Sequence, residues 1–65
     1  MSGVTELVPG PVPEKVRIEY AEGVFWLYGG TTAYATSERA FRLSNYAEQW
    51  GAVEIRHDYD GSRYE

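Results

Sequence analysis

Residues 15–35 read KVRIEYAEGVFWLYGGTTAYA, and this stretch decides the fold. Its first six residues alternate between polar and apolar side chains, which is the pattern of a half-buried strand. Two glycine-containing segments, 21–23 and 29–30, interrupt the pattern and predict hairpin loops of three and two residues. The stretch therefore predicts three consecutive antiparallel strands, which occupy residues 15–20, 24–28 and 31–35.

The lengths of the two loops determine which side chains share a face of the sheet, because side chains alternate along a strand. A three-residue first loop places Trp26 opposite Ile18, and the second loop places it opposite Ala33. The first face then carries Val16, Ile18, Tyr20, Val24, Trp26, Tyr28, Ala33 and Ala35. The second face carries Arg17, Glu19, Phe25, Leu27, Thr32 and Tyr34.

A helix is predicted directly after the third strand. Thr36 or Ser37 supplies a capping oxygen at its start, and Gly51 suits its C-terminal end. At the helical period one stripe of the helix is apolar, and this stripe should cover the face that carries Trp26. The stripe consists of Ala40, Leu43, Tyr46, Ala47 and Trp50. Phe41 falls on the far side of the helix, where nothing covers it.

The alternating pattern returns over residues 53–58 and predicts a fourth strand. The fold class is therefore α+β, with a single, mainly antiparallel sheet in the order β-β-β-α-β and one helix packed on one face. The last strand is expected either parallel to the third strand or beside the first. Residues 15–65 form this single small domain. Residues 1–14 form an extended or disordered arm, because the prolines at 9, 11 and 13 suppress helix and ladder pairing.

Composition narrows the class of protein. The 65-residue chain is 15% aromatic, and it has no cysteine, one histidine and a formal net charge of −4. A disulfide framework and the usual His/Cys zinc sites are therefore excluded. The acidic balance disfavours non-specific binding to nucleic acid or anionic lipid. The N-terminus shows no basic segment followed by an apolar run, so we expect a soluble, cytoplasmic protein that does not span a membrane.

The chain offers few groups for catalysis or metal binding. His57 lies in a predicted strand with no nucleophile motif near it. Residues 58–61 resemble the start of a calcium loop but lack the third ligand position and the distal glutamate. Gly29-Gly30 lacks the lysine and the spaced glycines of a phosphate loop. We therefore expect no enzymatic activity, no cofactor and no metal site.

The second face of the predicted sheet is the strongest functional signal, because one helix can cover only one face. Phe25, Leu27 and Tyr34 form an aromatic platform there, with Lys15 and Arg17 at its rim. Three interpretations stay open. A protein partner or an identical subunit binds the platform, or the N-terminal arm folds back and lays Leu7, Val8 and Val12 across it, or the platform stacks single-stranded nucleic acid.

The sequence favours the first interpretation, a small acidic, non-catalytic protein-binding module. The predicted contact residues are Phe25, Leu27 and Tyr34, with Arg17 and Phe41 as secondary candidates. On this assignment Phe25→Ala weakens association with little loss of fold, whereas Trp26→Ala unfolds the chain. A single-stranded nucleic-acid-binding protein that uses the same face is the alternative function.

Two resemblances accompany these patterns. Residues 36–43, running on to residues 50–55, resemble the strand-helix-strand unit of several small α+β families, SPOR-like domains among them. SPOR-like domains bind peptidoglycan outside the cytoplasm, and the chain shows no export signal, so that function is not carried over. In its size, its lack of cysteine and its sequence over residues 33–54, the chain is also similar to small accessory proteins of actinobacterial phages. That resemblance implies a protein that binds and modulates a host or phage component.

Overall fold

The computed structural model describes residues 3–60, which form five strands and one helix. The strands make one sheet, and the helix packs against one of its two faces. The prediction of a small α+β fold with a single sheet and one helix is therefore confirmed. In chain order the elements are β1 (Val4–Glu6), β2 (Lys15–Ala21), β3 (Val24–Gly29), β4 (Thr32–Ser37), α1 (Ala40–Gln49) and β5 (Glu54–Asp58).

The sheet is mixed, with the strand order β1-β4-β3-β2-β5. The strands β2, β3 and β4 form an antiparallel meander, and β1 is antiparallel to β4. After the helix, β5 pairs in parallel with β2, which is the second of the two expected placements. The element order is therefore β-β-β-β-α-β, with one strand more than predicted and a parallel pair at one edge.

The additional strand, β1, ties the N-terminal segment to the sheet. It pairs with β4 through residues 35–37 and precedes the three prolines, which lie in a segment that forms no ladder. That segment then crosses the helix side of the sheet, where Val12 is buried in the core. Gly10 lies against the Trp50 ring so closely that an added Cβ would sit 2.5 Å from its Cδ2. The segment 3–14 therefore packs with the rest of the structure.

The first hairpin loop has two residues, Glu22 and Gly23, so the predicted three-residue loop is wrong. Ala21 pairs directly with Val24, and both loop residues have positive φ, 56° and 84°. Positive φ at both central positions is the geometry that matches the twist of hairpin strands. Shortening the loop by one residue shifts the register of β3 against β2 by one. Every side chain of β3 therefore changes face relative to the prediction.

The second hairpin also differs from the predicted one. Gly29 pairs with Thr32, so the loop consists of Gly30 and Thr31 rather than Gly29 and Gly30. A bulge then interrupts the β3–β4 ladder, and Tyr34 becomes the extra residue on β4. Together these shifts place Ala35 beneath the helix and Ala33 on the opposite face of the sheet.

The core lies between the sheet and α1. Its largest fully buried side chains are Phe25, Ile18, Leu27 and Leu43. The helix buries Ala40, Leu43, Tyr46 and Ala47, which confirms four members of the predicted stripe, whereas Trp50 is the C-cap residue and 37% exposed. Gly51 has a φ of 110°, which is typical of the residue after a helix end. Within residues 3–60, no helix has the length and apolar character needed to cross a bilayer.

Candidate binding face

The structure buries the main predicted contact residues instead of exposing them on a platform. Phe25 and Leu27 are 1% and 0% exposed beneath α1, so the prediction that they form an exposed platform is wrong. Tyr34 packs against the same core, next to Pro13 and Gly29. The physical reason is the shorter first loop, which turns the odd-numbered residues of β3 towards the helix. The side chains of Phe25 and Leu27 are out of a partner's reach in this fold.

The two secondary candidates lie on opposite sides of the molecule. Arg17 belongs to the sheet face that points away from the helix, as predicted for its face. Phe41 is 45% exposed on the outer side of α1, with the Arg42 guanidinium 5.1 Å from its ring centroid. The two residues therefore cannot take part in one small contact patch.

The N-terminal segment does fold back, but onto the helix side of the sheet. Val12 is buried in the core, whereas Leu7 is 47% exposed. The backbone N–H groups of Leu7 and Val8 both donate to the carbonyl oxygen of Tyr34, at 2.8 and 3.2 Å. The fold-back interpretation therefore holds in part: Val12 packs in the core with Phe25 and Leu27, whereas Leu7 stays exposed.

The sheet surface opposite α1 is here called the open face. The strand registers assign its members, because paired residues point to the same side of a sheet. Among residues 3–60, the helix and the segment 7–14 pack on the other side, so neither covers this surface. The open face consists of Thr5 from β1, Lys15, Arg17, Glu19 and Ala21 from β2, Val24, Trp26 and Tyr28 from β3, Ala33 and Thr36 from β4, and Glu54, Arg56 and Asp58 from β5.

Two aromatic rings and one guanidinium form a stack at the centre of the open face, which is here called the aromatic ladder. The rings of Trp26 and Tyr28 are nearly parallel, with centroids 6.3 Å apart and an interplanar angle of 17°. The Arg17 guanidinium lies 4.7 Å from the Tyr28 centroid. Trp26 Nε1 donates to the carbonyl oxygen of Ala21 at 2.9 Å, and Arg17 Nη1 donates to that of Gly30 at 2.6 Å. These bonds hold the ladder in place before any partner arrives, which lowers the entropy lost on binding.

Four of the six charged residues of the open face form ion pairs with a neighbour on their own strand. Arg17 Nε donates to Glu19 Oε2 on β2, and the Arg56 guanidinium makes a bidentate contact with Asp58 on β5, at 2.7 to 3.1 Å. The hydrogen bonds from Arg56 lower the pKa of Asp58, and the carboxylate in turn raises the pKa of Arg56. Since both residues are solvent-exposed, this pair orders the surface more than it stabilises the fold.

The formal charges of the open face sum to zero. Its three bases, Lys15, Arg17 and Arg56, stand against its three acids, Glu19, Glu54 and Asp58. The complete chain carries a formal net charge of −4, so the surplus of acids lies outside this face. A neutral surface with an aromatic centre has no net attraction for a phosphate backbone, and it resembles the centre of a protein interface.

Shallow grooves border the open face. One groove of about 230 Å³ lies between the starts of β2 and β5, where Lys15, Tyr28 and Arg56 contribute to its walls. A second groove of about 700 Å³ lies at the opposite end, between β1 and the start of α1. Both grooves open widely to solvent, so a small ligand would stay largely exposed in either one. The surface therefore suits a macromolecular partner better than a small molecule.

His57 and Asp58, which were considered for catalysis and metal binding, both lie in β5. His57 Nδ1 lies 2.6 Å from the hydroxyl oxygen of Tyr59. Among residues 3–60, no group of three or more His, Asp or Glu side chains is placed to hold a metal ion. Gly61, the last residue of the segment that resembles a calcium loop, lies outside the described residues, as do residues 62–65 of the predicted domain.

Comparison of the chain with protein-family models, with curated proteins and with solved structures finds no match. The two resemblances drawn from the sequence therefore stay predictions.

Proposed function

We propose that this protein is a non-catalytic binding module and that it docks a protein surface on its open face. The observation that carries the proposal is the ordered ladder of Trp26, Tyr28 and Arg17 at the centre of a charge-neutral sheet surface. Tryptophan, tyrosine and arginine are the residues most enriched among those that dominate protein-binding energy. A partner that buries the ladder would also exclude water from the ion pairs on β2 and β5.

Charge favours a protein over a nucleic acid as the partner. Nucleic-acid interfaces are strongly basic, because affinity comes largely from neutralised phosphates. On the open face, Arg17 and Arg56 already form ion pairs with Glu19 and Asp58, respectively. The stacked rings of Trp26 and Tyr28 are the feature that keeps single-stranded nucleic acid as the second candidate, since bases stack on such platforms. A salt-dependent oligonucleotide titration separates the two, and tight binding at physiological salt would favour the second.

The role and location of the module belong to the same proposal. The similarity to accessory proteins of actinobacterial phages suggests a modulator of a host or phage protein, which acts in the cytoplasm. An actinobacterial lysate is therefore the first place to look for a binding protein.

The test is affinity capture with matched variants. In Trp26→Thr/Tyr28→Thr the aromatic ladder is removed, and threonine keeps the strand preference of both positions. The control, Phe41→Ala, removes an exposed aromatic side chain from the outer side of the helix. We expect the wild type and the control to retain the same protein, and the double variant to lose it. Retention by all three proteins, or loss by the control alone, would contradict the proposal.

A further inference from the structure

We propose that the open face binds the open face of a second copy of this chain, with the two sheets stacked and their strands running in opposite directions. This inference rests on the proposed function, because it names the partner of that same face. It follows from the order in which charged and aromatic residues succeed one another along the strands.

The open face carries a basic row and an acidic row side by side. The basic row consists of Arg17 and Arg56, which are register partners across β2 and β5. The acidic row consists of Glu19 and Asp58, which are partners one step further along the same strands. Both rows run perpendicular to the strands.

The rows continue onto β3 as aromatic residues. Tyr28 is paired with Arg17 and extends the basic row, whereas Trp26 is paired with Glu19 and extends the acidic row. On β4, Ala33 continues the first row, and Thr36 continues the second. Each row therefore passes from charged through aromatic to small side chains.

A two-fold axis between the rows makes the face complementary to itself. The axis lies in the plane midway between two stacked sheets and runs perpendicular to the strands. It passes over β2 at the level between Arg17 and Glu19. Each strand then lies opposite its own copy with the direction reversed. Arg17 of one chain faces Glu19 of the second copy, and Arg56 faces Asp58 of the second copy. Stacked sheets lie about 10 Å apart, a distance that these side chains span together.

The same axis matches the uncharged parts of the rows. Tyr28 of one chain faces Trp26 of the second copy, and the small Ala33 faces Thr36 of the second copy. The ion pairs within each chain stay in place, so every carboxylate of the acidic row gains a second guanidinium. An axis parallel to the strands would instead place the basic row against a basic row, which like-charge repulsion disfavours. The charges thus select one orientation.

The size of the face predicts a weak dimer. Four strand spacings of about 4.8 Å and strands about 20 Å long give a footprint of roughly 400 Å² for each copy. Interfaces of stable complexes bury about 800 Å² for each partner. Because the side chains project from the sheet, the buried area exceeds this footprint. The interface nevertheless stays at the small end of the size range of protein interfaces. The dimer should therefore form and dissociate within an accessible range of concentrations.

The wild-type chain itself provides the first test, because it has one tryptophan in the open face and one on the helix side. Sedimentation equilibrium over a dilution series should show a mass that rises from monomer to dimer. In the same series, the indole N–H resonance of Trp26 should shift with concentration, while that of Trp50 stays fixed. A monomer at millimolar concentration would overturn the inference, as would a shift of Trp50 alone.

Charge variants provide the second test. Arg17→Glu/Arg56→Glu makes both rows acidic, and Glu19→Arg/Asp58→Arg makes both rows basic. Each variant alone should self-associate at least about tenfold more weakly than the wild type, whereas an equimolar mixture should form a heterodimer. Circular dichroism of each variant checks that it folds, and recovery in the mixture excludes misfolding as the cause of the loss. Variants that dimerise as well as the wild type would overturn the inference.

Failure of this inference can be told apart from failure of the proposed function. If the wild type stays monomeric while Trp26→Thr/Tyr28→Thr still loses a captured protein, the second copy is not the partner, and the open face keeps its binding role. If the double variant changes neither self-association nor capture, the proposed function fails as well.

Discussion

The two faces of the sheet are built from neighbouring residues of the same strand, yet they differ in every physical respect. On the helix side, Phe25 and Leu27 are almost completely buried and carry no polar atoms. On the open face, Trp26 and Tyr28 are half-buried and keep a polar group at the edge of each ring. The first pair packs in the core, and the second pair lies on the proposed binding surface. Substitutions one position apart on β3 should therefore have separable effects.

The largest expected effect is on the helix side of β3. Phe25→Ala removes a fully buried ring that also contacts Tyr20 and Tyr59, with centroids 4.8 and 4.9 Å away. Such truncations cost about 3–5 kcal/mol, and a chain of this length has a total stability of roughly 3–10 kcal/mol. We expect the variant to be largely unfolded at room temperature. Urea denaturation followed by circular dichroism measures this loss.

The matched control for that substitution is Trp26→Ala on the other face. It should lose less stability, because the indole is only partly buried. Equal losses for Phe25→Ala and Trp26→Ala would break the comparison between the two faces.

A second effect on the helix side concerns the end of β3. In Gly29→Ala, the new Cβ would lie 2.5 Å from Pro13 Cγ and 2.8 Å from a ring carbon of Tyr34. Overpacking of this kind costs about 1–3 kcal/mol, and it should loosen the contact between the N-terminal segment and the sheet. Thermal unfolding of the variant provides the measurement. An unchanged midpoint would show that Pro13 does not press on β3.

The hydrogen bond between helix and β1 should have a smaller effect. The Tyr46 hydroxyl donates to Glu6 Oε2 at 2.9 Å, and Tyr46→Phe removes that donor. We expect a loss of about 1 kcal/mol.

The pH dependence of stability tests the raised pKa of Tyr46. Burial, followed by the nearby Glu6 carboxylate, raises the pKa of Tyr46 from its ordinary 10.0 to about 12. Because the folded state holds the proton more tightly, this contribution is complete below pH 10 and is lost as pH rises towards 12. Urea denaturation between pH 9 and 12 should show a steeper decline for the wild type than for Tyr46→Phe. Parallel declines would contradict the proposed shift.

A small effect on stability is also expected for the open face. Trp26→Thr/Tyr28→Thr should cost no more than about 1–2 kcal/mol, because both rings are only partly buried and threonine suits a strand. The same variant should lose self-association completely. A loss of stability comparable to that of Phe25→Ala would show that the open face is covered and belongs to the core.

Much of the fold could be predicted from the sequence, because its signals are local. The alternating pattern of β2 predicts a strand and the apolar stripe of α1 predicts a helix. Both elements are present in the folded structure. The short strand β1 could not be predicted in this way. Its three residues carry no pattern, and only their pairing with β4 makes them a strand.

The candidate site could not be predicted correctly, because the pattern of β3 does not show which of its side chains face the helix. Apolar residues occupy both sides of this strand, so only the register with β2 decides which of them point towards the helix. A one-residue error in the length of the loop therefore exchanges the two sides. Glu22 takes a positive φ that is more usual for glycine or asparagine, which concealed the two-residue loop. The polar atoms of Trp26 and Tyr28 were the available signal, because such rings favour half-exposed positions over a dry core.

The most direct test of the open face as a binding surface compares the sedimentation mass of three proteins over one concentration series. These are the wild type, Trp26→Thr/Tyr28→Thr and Phe41→Ala. We predict that the wild type and Phe41→Ala pass from monomer to dimer over the same range, while the double variant stays monomeric and folded. Dimerisation that persists in the double variant and disappears in Phe41→Ala would contradict the account, since the interface would then lie on the helix.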